Sequence, residues 1–345
     1  MVHMVERQSL PVAVFQTNTG VGQPQLPTSI PPTPPNSNCT SKQNLSFKSR
    51  LHVSTSVSLA PALTPNPTSI SPKSVKMPPW PHPFKAAVSF TMDNLGEAQD
   101  VLNNTWPHPI GTHPAVHTTL LRMLDLLAAH NLRATYFAES WSLAVYPVAV
   151  KELIARGHEV AWHGYQHEVW ASLSDEEEVK NYEKSFAAAR EAEVEYHGFR
   201  PPGGKLNERT WGMLKERGMA YVSPLGEFRI GKEGVVVLPF EWKAVDAYYY
   251  MDTAKFREIR RELGDGEGVI GVDEFRDYVK GKIEEVKRTG GYLSVLFHPF
   301  LQTSEEKFQV MEEVVKHIAA DGEIWSAPCK EVAEWVLEHH ASLGE

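Results

Sequence analysis

His163-Gly164-Tyr165-Gln166-His167 follows the apolar run Val160-Ala161-Trp162 directly. Two imidazoles four residues apart, at the C-terminal end of an expected strand, can turn toward one metal ion, and neutral imidazole is the commonest side-chain metal ligand. A lone HxxxH arises easily by chance. Gly164 also stands where a helical zinc protease carries its catalytic glutamate, so that chemistry is not indicated. Four other polar constellations, each just past an expected strand, give the pair its weight. They are Ser89 to Asn94, Arg200-Pro201-Pro202-Gly203-Gly204, Glu241 to Asp246, and Phe297-His298-Pro299-Phe300. One carboxylate with the two imidazoles makes a three-ligand site for Zn²⁺ or another divalent ion, with one position left for water. Water so activated attacks a carbonyl, and His298 is placed to protonate a leaving amine.

Such a set works only if strands of one sheet deliver it to one face. Short apolar runs predict strands over 86–91, 133–138, 159–162, 196–199, 221–222, 235–238 and 292–297. Helical spacing predicts helices over 116–130, 174–195, 273–288, 304–320 and 329–339. The start at Ser174-Asp175-Glu176-Glu177 has the form of a capping box. Strands alternating with helices predict a parallel sheet, and about seven such units suit a closed or nearly closed α/β barrel. Residues 96–117 and 255–272 fall outside the repeat and are read as rim insertions. His108, His113 and His117 in the first insertion are read as loop histidines, and Tyr248-Tyr249-Tyr250 and Trp242 as core.

Composition divides the chain at about residue 78. Residues 1–78 are rich in Pro, Ser and Thr and predict disorder; 79–345 form the folded domain. Six Lys/Arg against one acid put the first segment at +5, so the rest carries about −14 of the chain's net −9. That charge argues against nucleic acid or an anionic membrane as partner, and no apolar run reaches the length of a span. A homo-oligomer is left open. No signal-peptide h-region is evident, which predicts a cytoplasmic location, with an organelle transit segment around 41–58 as the alternative. Cys39 and Cys329 are too few and too far apart to suggest a structural disulfide.

The order Asp93, His163-x-x-x-His167, Arg200-Pro201-Pro202-Gly203-Gly204, Asp246 and a last strand ending in His298 resembles the polysaccharide deacetylase (NodB-homology, carbohydrate esterase 4-type) family over about residues 80–340. The resemblance implies a distorted (β/α) barrel, a divalent metal, usually zinc, and hydrolysis of an amide, typically an N-acetyl group on a sugar. It also implies that Arg200 and Asp246 pair around the catalytic centre. The first motif departs from the family's Thr-Phe-Asp-Asp, in which the first Asp is base and the second binds metal. Aligned that way, Asp93 is the base and Asn94 replaces the ligand. Aligned with the Ser-Phe-Asp-x-Asp form of the intracellular deacetylase/cyclic-imidase branch, Thr91 takes the base position and Asp93 the metal. The second alignment keeps a full Asp-His-His set and is preferred. It leaves the base to another group, for which Glu139 after the second strand is the candidate. The expected activity is hydrolysis of a carbon–nitrogen bond in an N-acylated sugar, glycan or small amide. Cyclic imide or allantoin hydrolysis, and a non-catalytic glycan- or ligand-binding barrel, are the alternatives.

Overall fold

The computed structural model describes residues 80–340 apart from position 232, so the expectation for 1–78 and the fate of Cys39 lie outside the described residues. The described strands are β1 (Ala86–Asp93), β2 (Thr135–Ala138), β3 (Glu159–Trp162), β4 (Gly198–Phe199), β5 (Tyr221–Val222), β6 (Arg229–Ile230), β7 (Val236–Val237), β8 (Tyr292–Phe297) and β9 (Ile324–Ser326). They form one sheet in the order β6-β7-β5-β4-β3-β2-β1-β8, parallel except for the β6–β7 pair. β8 lies along one side of β1. Along the other side lie β9 at its start and β2 at its end. After β7 the chain reaches β8 through a single Val245–Leu296 bridge, closing the curled sheet without a full ladder. This is the distorted (β/α) barrel that the motifs implied.

Side-chain alternation along the strands decides what the barrel interior contains. On β1, Ala86, Val88, Phe90 and Met92 join the large core beneath the helices. Ala87, Ser89, Thr91 and Asp93 therefore face the other way, into the lumen. On the lumen side β2 contributes Thr135 and Phe137, β3 Glu159 and Ala161, β4 Gly198, β5 Tyr221, and β8 Tyr292, Ser294 and Leu296. Their alternates Tyr136, Val160, Trp162, Phe199, Val222, Leu293, Val295 and Phe297 pack outward. The next lumen position in each case falls on or just past the strand's C-terminal end. There stand Asp93, Glu139, His163, Arg200, Ser223 and His298. Period-two geometry thus aims residues from six strands at one end of the barrel, the end where such folds carry their sites.

The lumen below is packed solid. Glu159 accepts from the Tyr221 hydroxyl at 2.9 Å, Thr135 Oγ1 at 2.7 Å and the Lys330 amide at 2.9 Å. Burial raises the pKa of its carboxyl despite these donors. Tyr221 crosses to β4, where a Cβ on Gly198 would lie 2.0 Å from its ring. Only glycine fits there.

The capping box at Ser174 is present, with Glu177 returning the bond, and starts the helix Asp175–Glu191. Helices Leu120–Ala129, Val272–Thr289, Glu305–Ala320 and Cys329–His339 stand where periodicity put them. Two strands went unread. β6 is an exposed two-residue hairpin arm, and β9 is three residues long, so neither presents a periodic run. The supposed insertions are partly regular. Residues 96–117 contain the helix Ala98–Leu102 and lead into a π-helical turn, Ala115–Thr119, while 255–272 hold most of the helix Ala254–Glu262. Buried Glu97 anchors the first insertion, accepting from the Gly111 amide at 2.7 Å and from the Tyr146 hydroxyl.

Gly198→Ala should cost about 2–3 kcal/mol, because backbone and ring must separate in a filled lumen. Urea unfolding monitored by tryptophan fluorescence measures it; a change under about 0.5 kcal/mol would contradict this packing.

Candidate metal and catalytic site

Arg200 is fully buried at the centre of the lumen's upper end. Its Nη1 donates to Asp93 Oδ1 at 2.7 Å and Thr91 Oγ1 at 3.1 Å. Nη2 donates to Ser223 Oγ at 3.0 Å and Ser294 Oγ at 2.9 Å, and Nε to Ser223 Oγ at 3.2 Å. The guanidinium also lies 4.0 Å from the centroid of the Phe137 ring. Five hydrogen bonds thus reach four residues on or just past three strands, β1, β5 and β8, the condition under which a buried cation is tolerated.

His163 Nδ1 donates to the Arg200 carbonyl at 2.8 Å, which fixes the tautomer and leaves Nε2 free. The His167 ring lies 4.9 Å from it, centroid to centroid. The chain reaches this position through left-handed conformations at Gly164 (φ 77°) and His167 (φ 69°). Glycine accommodates the first freely, whereas the second is unusual for a histidine and is held by its surroundings. His167 Nδ1 is buried without a hydrogen-bond partner. Burial, then the Arg200 charge and others, push His163 down to about 3, and burial with the His163 charge takes His167 in the same direction. Both shifts favour the neutral base, the form that a metal requires.

The carboxylate that completes this group is Glu139. One ligand atom from each of Glu139, His163 and His167 lies within 4.8 Å of the other two, the sole such group among the described residues. Glu139 is held by Asn94, whose side-chain amide donates to Oε1 at 2.6 Å, and by the Leu95 amide on Oε2 at 2.8 Å. Asn94 itself takes a left-handed turn, φ 65°, off the end of β1. Burial raises the Glu139 pKa to about 7 against these donors, with Asp93 adding to the rise. A buried carboxylate, two neutral imidazoles and an orphaned ring nitrogen suit a divalent cation.

The arrangement departs from the expectation that Asp93 binds metal and Glu139 acts as base. Asp93 lies outside the three-residue group. Its Oδ1 is taken by Arg200, and its Oδ2 stands 3.7 Å from His163 Nε2. Arg200 and Asp246 were expected to pair, and they do not: each has its own partner. Asp246, fully buried, meets His298 Nδ1 through Oδ1 at 2.6 Å. Its Oδ2 accepts from the His298 amide at 2.7 Å and from Gln302 Nε2 at 2.6 Å. Burial alone would lower the His298 pKa, but the Asp246 charge and hydrogen bond outweigh it and the net shift is upward.

A pocket of about 230 Å³ opens over these groups, lined by Asp93, His163, His167, Arg200 and His298. Phe240, Trp242, Phe256 and Phe300 form an apolar wall, so Trp242, read as core, serves the site as well. Gln302, Ser223 and Ser294 had escaped notice. A glutamine four residues after a histidine carries no motif, and lone serines on strands are unremarkable until an arginine reaches them. The insertion histidines stay structural: His113 stacks on Trp106, and His117 Nε2 bonds the Gly111 carbonyl at 2.8 Å.

A curled α/β barrel with a metal-suited Glu-His-His group at its C-terminal end defines the class, and comparison with known proteins supports a likeness to one family. Residues 104–222 match the polysaccharide deacetylase family model, a segment of about a third of the chain that includes Glu139, both imidazoles and Arg200. A peptidoglycan-N-acetylglucosamine deacetylase of Bacillus cereus is 34% identical over 98 residues, 28% of this chain and 46% of that enzyme, so the chain spans less than half of that relative. A candidate polysaccharide deacetylase of Mycobacterium smegmatis superposes with a TM-score of 0.66 at 23% identity, over 77% of this chain and 94% of that one. The allantoinase PuuE does so with 0.60 at 17%, over 77% and 94%. The family read from the motifs, the polysaccharide deacetylases, is thereby borne out, and the structural likenesses show the shared fold.

The raised Glu139 pKa has a sign that can be measured. Its neutral form stabilises the metal-free fold fully below about pH 4.5, and that contribution is lost as pH rises through about 7. Comparing urea unfolding of metal-free wild type and Glu139→Gln between pH 4.5 and 8, the wild type should lose stability relative to the variant as pH rises. Parallel curves would contradict this reading of the site.

Proposed function

We propose that residues 79–345 form a metal-dependent hydrolase that removes an acyl group from an N-acylated sugar or small amide. The carrying observation is the Glu139, His163 and His167 group beneath a pocket that also holds a paired carboxylate, Asp93, and a paired imidazole, His298. Glu139, His163 and His167 would hold Zn²⁺ or a similar ion. Bound there, such an ion polarises the scissile carbonyl and lowers the pKa of water to about 7.

Asp93 is the base in this reading. Arg200 fixes one of its oxygens, and the other faces the imidazoles, free to take a proton from the attacking water. His298 is the acid. Asp246 binds its Nδ1, so Nε2 carries the proton that the leaving amine needs, and the Asp246 charge keeps the imidazolium populated. The Phe240 and Trp242 wall excludes water from the acyl and ring faces. The volume, about 230 Å³, suits one small N-acyl unit rather than a long stretch of polymer. Among the described residues no helix is long and apolar enough to cross a membrane.

Acetate release from N-acetylglucosamine, its oligomers and simple N-acyl amides tests the proposal. Turnover should vanish with a chelator and return with zinc. His298→Gln should lose about 10²–10⁴-fold in kcat and with it the fall in activity above the raised histidine pKa. Full turnover after chelation, or an unchanged alkaline limb in His298→Gln, would contradict the proposal.

A further inference from the structure

One cation at the pocket is answered by no described carboxylate. Lys255 lies in the first turn of the helix Ala254–Glu262, a turn without acidic residues. Its Nζ stands 5.6 Å from the centroid of Trp242 and 3.8 Å from where a Cβ on Gly203 would lie, across the pocket mouth from the Arg200–Gly204 loop. The acids nearest in sequence, Asp252 and Glu258, lie three residues to either side; Asp252 is held in a two-pronged pair by Arg257 at 2.7 and 2.8 Å, and neither forms an ion pair with Lys255. Of the site's carboxylates, Asp93 is bonded through Oδ1 to Arg200, and Glu139 to Asn94 and the Leu95 amide. No ion pair joins Lys255 to any of them. The helix N-terminus adds a field of the same sign. Facing the ammonium are the aromatic wall and the open pocket, so its charge is directed at whatever occupies the pocket.

We propose that Lys255 receives a carboxylate of the substrate, so that the pocket selects acidic N-acyl compounds over their neutral analogues. The inference rests on the hydrolase reading for the word substrate, but the recognition is a binding property and can be measured without turnover. An ammonium beside an aromatic face, at a partly closed rim, gives a charge-assisted hydrogen bond stronger than one in open water. The expected preference is roughly tenfold, on the scale of a single partly desolvated pair.

Calorimetric binding to the zinc-loaded full chain tests it with two matched pairs: N-acetylmuramic acid against N-acetylglucosamine, and N-acetylglycine against N-acetylglycinamide. The acid of at least one pair should bind about tenfold more tightly. Lys255→Glu should bring that ratio to one or below, and Lys255→Arg should keep most of it. No preference in either pair, or a preference that survives Lys255→Glu, overturns the proposal. A Lys255-dependent preference without acetate release would uphold it while sinking the hydrolase reading.

Discussion

The buried pair of Arg200 and Asp93 is the interaction on which the rest of the site depends. A guanidinium in a packed lumen is tolerable only because its donors are met by Thr91, Asp93, Ser223 and Ser294. Removing one charge would leave the other stranded, a cost on the order of 3–5 kcal/mol. The pair also fixes function. It occupies one oxygen of Asp93, and the Arg200 carbonyl sets the tautomer of His163. One residue thereby places both the carboxylate proposed as base and an imidazole proposed as ligand.

With Asp93 Oδ1 committed to Arg200, the carboxylate of the proposed metal site is that of Glu139. Asn94, an amide at the position where a second aspartate is usual in the family motif, supplies a donor instead. It holds Glu139, which β2 delivers toward the imidazoles. The exchange keeps the charge of the proposed ligand set and moves its source from one strand to the next. A carboxylate from a neighbouring strand end is equivalent chemically, because lumen-facing positions at adjacent strand ends lie close together in a barrel.

Much of this was legible in sequence, for a definite reason. Period-two runs ending in His163, Arg200 and His298 state both that these are strands and that their next lumen positions are polar, which is enough to gather the constellations. The assignment within the gathered set was not legible. Whether Asp93 meets a metal or an arginine depends on how far Arg200 reaches across the lumen, and no spacing encodes that distance. The same holds for Asp246, which turned to His298 because Val245 bridges Leu296 on β8 and brings the two together. Short or irregular elements such as β6, β9 and the turn at Ala115–Thr119 carry too few residues for a period to show.

The account makes Glu139 the metal's carboxylate and Asp93 the base, and zinc titration of two variants separates these roles most directly. Glu139→Gln should weaken zinc binding by at least about a hundredfold. Asp93→Asn should still bind one zinc per chain while losing acetate release. Loss of zinc from Asp93→Asn with near-normal binding by Glu139→Gln would contradict it.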